Sequence, residues 1–329
     1  MYSNNPLLYL SNSLNMLATT VFSALLAATA MASPHGLKPS HDIGKIVDTT
    51  TRWTEKKKSS LRRAAVVPIR FPYGSKVLTN GVTVHYIYYG DWSGDQKSII
   101  QDLTNGLGRS KWWNTERKYY SQRSSTSRKV YVNGQVRVGS TVQDNYTFGR
   151  SLTGDNIASL IQKYIDSGDL PEQDDALYMI LSAHDVSESQ IGGDGNTYAF
   201  CRDYCGYHKQ FTLSSGREVP FAFAGNGDHC QDFCVHPQNR QVSPNNDTGV
   251  DGMASIVIHE IAEAVTDPIY PTAWIDINGQ ENADKCNFSF GFWKTDFKGA
   301  SYNQQIGGRN FLVQQNWNPN TNTCSDGTR

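Results

Sequence analysis

A histidine and two glutamates in the C-terminal half of the chain have the spacing of a metal-binding motif. His259, Glu260 and Glu263 form the pattern HExxE, which differs in its last letter from the HExxH motif of zinc peptidases. In that motif two ligands lie one helical turn apart, and the intervening glutamate acts as general base on a metal-bound water. A carboxylate can also ligate zinc. The spacing therefore predicts His259 and Glu263 as metal ligands and Glu260 as a catalytic base.

A second acidic stretch, from Trp274 to Cys286, follows this motif. Oxygen-bearing side chains around a glycine suit calcium, and its D-x-N-G sequence partly resembles the opening of an EF-hand loop. We expect the third ligand to come from Asp276, Glu281 or Asp284. The predicted cofactor is zinc or calcium. The alternative is an Asx-type turn whose acids are only solvated.

The HExxE motif falls on a predicted amphipathic helix that begins with Asp251 as its N-cap and stops at Pro268. Apolar side chains fill one broad arc of this helix, and polar side chains fill the other. Glu260, Glu263 and Asp267 crowd its C-terminal half, where the helix dipole disfavours each exposed anion by roughly 0.3–1 kcal/mol. A bound cation would offset this cost. The alternative is an ordinary surface helix with a solvated polar face.

The remaining pattern indicates an α+β or mixed α/β fold in one domain, residues 73–329. We expect a central mixed sheet, the HExxE helix and a disulfide-tied, loop-rich C-terminal part with short strands near residues 290–293 and 311–314. The apolar run at 176–182 is typical of a central buried strand. The other predicted elements are strands at 82–88 and 219–224, helices at 96–107, 112–120 and 153–167, and a hairpin at 129–138 around Asn133-Gly134.

Composition and the N-terminal pattern indicate an exported protein. The net charge of −1 gives no reason to expect nucleic acid or an anionic membrane as a partner. Residues 1–32 resemble a signal peptide, with an apolar run followed by Ala30-Met31-Ala32 as a cleavage site. Residues 33–72 are interpreted as a basic linker or pro-segment. No segment has the ~20 apolar residues that a membrane-spanning helix needs, and a secreted monomer is expected.

The cysteines support the same interpretation, because an even number in an exported chain indicates disulfides. The simplest pairing joins the two cysteines of each C-x₃-C unit and then the last two, although the sequence leaves the connectivity open and zinc is the competing interpretation. Three N-x-[ST] triplets are candidate glycosylation sites. The cysteines are Cys201, Cys205, Cys230, Cys234, Cys286 and Cys324, and the triplets begin at Asn145, Asn246 and Asn287.

Several stretches in the same order resemble the phosphate-induced protein / EXORDIUM family of secreted proteins. They include VHYIYYGDW, LSAHDV, CRDYCGYH, HCQDFC, GVDGMASIVIHEIAEAVTDP and NWNPNTNTC. The resemblance covers roughly Tyr73 to Cys324 and implies an extracellular or cell-wall-associated protein, linked in plants to growth and cell expansion. It implies no particular biochemical activity. On this interpretation the chain is a non-plant-like member that retains the HExxE helix.

Two hypotheses about function follow. The first is an extracellular protein of the EXORDIUM type that interacts with matrix or cell-wall components, glycans or peptides, and carries a bound metal. The alternative is a secreted zinc-dependent hydrolase of metallopeptidase type that uses the HExxE helix. The sequence leaves open whether the protein is an enzyme.

Overall fold

A five-stranded mixed sheet forms the centre of the computed structural model, which describes residues 67–327. The strand order is β4-β1-β6-β10-β9, and all neighbours are parallel except β9, which runs antiparallel at one edge. The mixed α/β single domain predicted from the sequence is confirmed. The strands are β1 (Val82–Tyr89), β4 (Val136–Asp144), β6 (Ala176–Ser182), β9 (Gly206–Thr212) and β10 (Glu218–Gly225).

The middle strand β6 has the bounds that its apolar run predicts, and all seven of its residues are buried. Burial on both faces is what a continuous apolar run in a parallel sheet requires. The neighbouring β1 alternates in sequence, yet all eight of its residues are buried as well. Helices and loops must therefore cover both faces of the sheet at this point.

Two of the four helices begin with capping boxes. The Ser93 side chain accepts a hydrogen bond from the Gln96 backbone while the Gln96 side chain accepts one from Ser93, and Thr153 and Asn156 repeat this arrangement. Each box satisfies two backbone N–H groups that helix formation leaves without partners. Helix α1 packs against α4, and α4 contacts both β9 and β10. The helices are α1 (Gly94–Leu107), α2 (Gly154–Asp166), α3 (Gln231–Cys234) and α4 (Thr248–Thr266).

Two local predictions before β4 are wrong. The predicted helix at 112–120 consists of two short 3₁₀ turns, Trp112–Asn114 and Glu116–Lys118. The predicted hairpin at 129–138 does not form, because its first half pairs with residues 120–121 while its second half enters β4 and pairs in parallel with β1. Tertiary pairing therefore outweighs the local Asn-Gly turn signal.

Short antiparallel pairs and turns make up much of the C-terminal part, as predicted, and the strands expected near 290–293 and 311–314 have their nearest counterparts at Lys294–Thr295 and Arg309–Phe311. They tie loops together rather than extend the central sheet. The remaining short strands are β2 (Tyr120–Ser121), β3 (Val130–Tyr131), β5 (Ser151–Thr153), β7 (Ser187–Ile191), β8 (Thr197–Ala199), β11 (Lys294–Thr295), β12 (Ser301–Tyr302), β13 (Gln304–Ile306), β14 (Arg309–Phe311), β15 (Asn316–Asn318) and β16 (Thr323–Ser325).

All six cysteines form disulfides, but two of the three bridges differ from the simplest pairing. β9 and β10 pair antiparallel, which brings the segment before β9 beside the segment after β10. The two C-x₃-C units are therefore joined to each other by two neighbouring bridges instead of each closing on itself. The bridges are Cys201–Cys230, Cys205–Cys234 and, as predicted, Cys286–Cys324.

The folded part of the chain begins before the predicted boundary at residue 73. Ile69 is buried, and Arg70 exchanges backbone hydrogen bonds with Ile275. The predicted signal peptide at 1–32 and most of the predicted linker at 33–72 lie outside the described residues. Among residues 67–327, no helix is both long enough and apolar enough to cross a membrane.

Candidate metal centre

Helix α4 carries the HExxE motif into the protein interior. Its N-cap is Asp247 rather than the predicted Asp251, and its last residue is Thr266. The side chains of His259, Glu260 and Glu263 are buried, with relative exposures of 7%, 3% and 3%. The polar arc of this helix is therefore not a solvated surface, and the simple interpretation of one buried and one exposed face is wrong.

His259 and Glu263 meet as the spacing predicts. Nε2 of His259 lies 3.0 Å from Oε1 of Glu263 and 3.6 Å from Oδ1 of Asp284. The backbone N–H of Asp284 donates a 3.0 Å hydrogen bond to the same Oε1 of Glu263. Thus the acidic loop does reach the helix, and one imidazole nitrogen faces carboxylate oxygens from two elements.

A second histidine, His208 of β9, enters the cluster from the edge of the sheet. Its Nδ1 lies 3.2 Å from Oε2 of Glu263 and 3.7 Å from Oε2 of Glu260. Its Nε2 lies 3.6 Å from Oε1 of Glu281. The sequence-based site prediction did not include His208, because no local motif connects a strand residue with a helix that follows it in the chain. The one available signal was a histidine in a strand near the C-x₃-C pair.

The acidic residues of the loop have two different roles. Glu281 is 2% exposed and belongs to the cluster. Asp276, the other predicted ligand, forms an ion pair with Lys285 at 2.8 Å and accepts backbone hydrogen bonds from Asn278 and Gln280. These contacts commit its carboxylate to shaping the turn, so the structure places Asp276 outside the cluster.

Two further buried acids hold this region in position. Asp267 accepts backbone hydrogen bonds from Thr272 and Ala273, and burial raises its pKa to about 6. Glu116 accepts side-chain hydrogen bonds from Asn282 and Asn316. Asp267 thus fixes the chain that follows α4, and Glu116 fixes Asn282, the residue beside Glu281.

The cluster contains more carboxylates than its two imidazoles can neutralise. Burial acts to raise the pKa of Glu263, but the adjacent His259 and His208 lower it to about 2. Burial acts to lower the pKa of both histidines, but the surrounding carboxylates raise it well above the usual value. Burial raises the pKa of Glu260 and of Glu281. Without a cation, protons must therefore supply the missing positive charge.

Several polar atoms of the cluster make no hydrogen bond within the described residues. A buried polar atom without a partner costs roughly 1–3 kcal/mol, and such atoms are rare in native proteins. A metal ion would remove this cost at those of the atoms that it binds. The atoms are Nε2 of His208, Nδ1 of His259, Oε2 of Glu260 and Oε1 of Glu281.

The donor set decides which metal fits. Imidazole nitrogens and carboxylate oxygens together are typical of zinc, whereas calcium takes oxygen ligands. Three-residue groups whose donor atoms lie within 4.8 Å of one another are His208 with Glu263 and Glu281, and His259 with Glu260 and Glu263. The grouping of Cys201, His229 and Cys230 is not comparable, because both cysteines are oxidised in a disulfide.

A pocket lies one helical turn from His259. Ser255 and Ile256, which line it, precede His259 by one turn of α4. Aromatic side chains form another part of its wall, and the His236 and Phe290 rings are 4.6 Å apart. The pocket therefore lies beside the part of α4 that precedes the HExxE motif.

The predicted glycosylation residues differ in accessibility. Asn145 and Asn246 are exposed, whereas Asn287 is half-buried next to the Cys286–Cys324 bridge. Oδ1 of Asn246 also accepts a hydrogen bond from Lys298. Accessible side chains permit glycosylation at the first two positions, and glycosylation at all three stays a prediction.

Comparison with known proteins gives the family. A sequence model described as the phosphate-induced protein 1 conserved region matches residues 71–326. The chain is 33% identical over 297 residues to Protein EXORDIUM-like 3 of Arabidopsis thaliana, which is 79% of this chain and 83% of that protein. It is 30% identical over 288 residues to Protein PHOSPHATE-INDUCED 1 of Nicotiana tabacum, covering 76% of this chain and 85% of that protein.

A further relative is Protein EXORDIUM-like 5 of Arabidopsis thaliana, 30% identical over 302 residues, which cover 79% of this chain and 78% of that protein. No solved structure matches the chain. These matches confirm the resemblance that the sequence blocks carry. The chain belongs to the phosphate-induced protein 1 family, together with the EXORDIUM-like proteins of plants.

Proposed function

We propose that this chain is a secreted, matrix-associated member of its family that holds a zinc ion between helix α4 and the acidic loop. The ligands are His259, Glu263 and Asp284. The proposal rests on the position of Nε2 of His259. This buried nitrogen lies 3.0 Å from a carboxylate oxygen of Glu263 on the helix and 3.6 Å from one of Asp284 in the loop. Two ligand atoms that are each ~2.0–2.2 Å from the same zinc ion lie about 3–4 Å from each other, a range that includes both distances.

The helix dipole and the burial of the motif support the same proposal. Glu260 and Glu263 lie in the last two turns of α4, where the negative end of the dipole opposes them. Both are almost fully buried, so solvent screens neither the dipole nor their mutual repulsion. A divalent cation would reverse both costs and cross-link α4 to the C-terminal loop.

A group of exposed aromatic residues supports the matrix role. Phe292, Trp293 and Phe297 are 97%, 44% and 96% exposed, and exposed apolar side chains close together in sequence favour an interaction surface. The Trp293 ring lies 5.4 Å from that of His236, a residue that lines the pocket. Replacing Phe292 and Phe297 with serine should reduce retention of the secreted protein on isolated cell-wall polysaccharide, and unchanged retention would contradict this part of the proposal.

The metal is tested by elemental analysis of the protein purified from culture medium without chelators. The wild-type chain should contain at least one zinc per molecule, and Glu263→Ala should contain none. A matched control is Glu218→Ala, since Glu218 is an exposed carboxylate on β10, and it should retain the wild-type zinc content. A folded wild-type protein without bound metal, even after incubation with zinc, would overturn the proposal.

A second candidate function, metal-dependent hydrolysis, is favoured by one observation. Glu260 immediately follows a proposed ligand, and its Oε2 makes no hydrogen bond to the part of the chain that the structure describes. A general base that contacts a metal-bound water needs such a free oxygen. Glu260→Gln should then retain zinc but lose ~10²–10⁴-fold of any peptide or ester hydrolysis. If Glu260→Gln retains all activity of the zinc-loaded protein, this second candidate is excluded.

A further inference from the structure

The two oxygens of Glu263 face two different histidines. Oε1 lies 3.0 Å from Nε2 of His259, and Oε2 lies 3.2 Å from Nδ1 of His208. The two imidazoles come from separate elements, α4 and β9, and approach the carboxylate from different sides. A carboxylate in this position can bridge two cations, as in sites where two metal ions lie ~3.5–4 Å apart.

The His208 side contains its own donor atoms. Nε2 of His208 and Oε1 of Glu281 lie 3.6 Å apart, which is too long for a hydrogen bond. Within residues 67–327 neither atom has a hydrogen-bond partner, although the two residues are only 5% and 2% exposed. Two metal-ligating atoms that face each other in the interior without hydrogen-bond partners indicate a ligand between them.

The charges of the cluster lead to the same conclusion. Four carboxylates, those of Glu260, Glu263, Glu281 and Asp284, surround His208 and His259. With neutral imidazoles, one divalent cation leaves half of this negative charge uncompensated. Uncompensated charge in the interior is strongly destabilising. A second divalent cation would balance the cluster, whereas in its absence protons on Glu260 and Glu281, whose pKa burial raises, would have to do so.

We propose that the cluster is a dinuclear zinc centre in which Glu263 bridges two ions. The second ion is bound by one imidazole nitrogen of His208 together with Glu263 and Glu281, since one donor atom from each of these residues lies within 4.8 Å of the others. The first ion is that of the proposed function, on which this inference rests. The second ion connects β9 with α4 and with the acidic loop, so three elements share one centre. The competing arrangement is a single zinc with His208 as a protonated imidazolium that takes the place of the second cation.

Zinc stoichiometry distinguishes the two arrangements. The secreted full chain is stripped with a chelator, titrated with zinc alone in a calorimeter, and assayed for zinc per molecule after dialysis. The dinuclear centre predicts two ions in the wild type and one in His208→Ala. A matched control is His184→Ala, because His184 is an exposed histidine at the end of β6, and it should bind two ions.

A conservative second variant guards against misfolding of His208→Ala. Glu281→Gln keeps the shape of the side chain but removes its charge. The variant should therefore bind the first zinc ion as the wild type does, and its affinity for the second should fall at least tenfold. One ion in both the wild type and His208→Ala would overturn the dinuclear proposal while leaving the proposed function standing. Two ions in His208→Ala would overturn the assignment of His208. Zinc absent from the folded wild type would overturn both proposals.

Discussion

Asp284 donates its backbone N–H to Oε1 of Glu263 at 3.0 Å. The donor belongs to the acidic loop, whose C-terminal end is anchored by the Cys286–Cys324 bridge, and the acceptor belongs to the last two turns of α4. The hydrogen bond satisfies one lone pair of a buried carboxylate and leaves the others directed at the histidines. A bound cation would strengthen this connection, because the same loop and the same helix supply its ligands.

Removal of zinc should lower the thermal stability of the wild-type protein. A ligand that binds only the folded state stabilises it by about 4 kcal/mol when its concentration is a thousand times its Kd. Melting of the zinc-loaded protein by circular dichroism, with and without a chelator, measures the effect. The chelator should leave the melting temperature of Glu263→Ala unchanged, and an equal response from both proteins would contradict the prediction.

The parts of this cluster that are close in sequence could be predicted, and the remainder could not. His259 and Glu263 lie one turn apart on one helix, so their spacing alone is informative. Glu281 and Asp284 lie in a loop with a recognisable acidic composition. His208 joins them only because β9 packs against α4, and no periodic pattern encodes that contact.

Two further features depend on contacts that sequence spacing does not show. The carboxylate of Asp276, which was predicted as a ligand, forms an ion pair with Lys285. The cysteine pairing depended on β9 and β10 lying antiparallel, which the C-x₃-C spacing does not show. The central strand β6 was predictable because burial on both faces leaves a strong local signal.

Removal of the Cys286–Cys324 bridge should affect both stability and metal affinity. The bridge has a sequence separation of 38 residues, and closing such a loop stabilises the fold by about 4 kcal/mol in the chain-entropy model. Because the bridge also anchors Cys286, which directly follows the acidic stretch with Glu281 and Asp284, the double alanine variant should bind zinc at least tenfold more weakly. Chemical denaturation and zinc titration measure the two effects.

A second bridge provides the control. Cys201–Cys230 has a sequence separation of 29 residues, so its removal should cost a similar free energy of unfolding. It closes none of the acidic loop, and zinc affinity should stay within about twofold of the wild type. Equal losses of zinc affinity in the two double variants would mean that the C-terminal bridge has no specific role in positioning the loop.

Glu116 should tolerate glutamine but not alanine. Burial raises the pKa of this carboxyl well above its usual value, and both recorded hydrogen bonds, from Asn282 and Asn316, go to Oε1. A glutamine oxygen can accept both bonds, so the free energy of unfolding of Glu116→Gln should lie within about 1 kcal/mol of the wild-type value. Glu116→Ala leaves two buried amide donors without partners and should lose about 3 kcal/mol or more. Urea denaturation of both variants checks this, and equal losses would contradict it.

The buried carboxyl of Glu188, on β7, should make the stability depend on pH. It accepts hydrogen bonds from Tyr204 at 2.5 Å and from Tyr207 at 3.2 Å, and Lys209 on β9 lies near enough to act on its charge. Burial nevertheless raises the pKa of Glu188 from 4.5 to about 7. The folded state therefore binds more protons than the unfolded state between these two values, and stability falls as pH rises through this window.

Glu188→Gln removes this titration, so its stability relative to the wild type should increase as pH rises from 5 to 8. The shift of the Glu188 pKa from 4.5 to about 7 corresponds to a gain of about 3 kcal/mol in the free energy of unfolding of Glu188→Gln relative to the wild type. Urea denaturation of both proteins at the two pH values measures the gain, and the zinc-dependent part cancels because both proteins retain the same cluster. Glu218→Gln, at an exposed position, should show no such pH-dependent difference. If the Glu188→Gln and wild-type stabilities change in parallel with pH, then the Glu188 carboxyl is ionised in the folded protein throughout this range, because a parallel change requires that its folded-state pKa is not raised above the unfolded value.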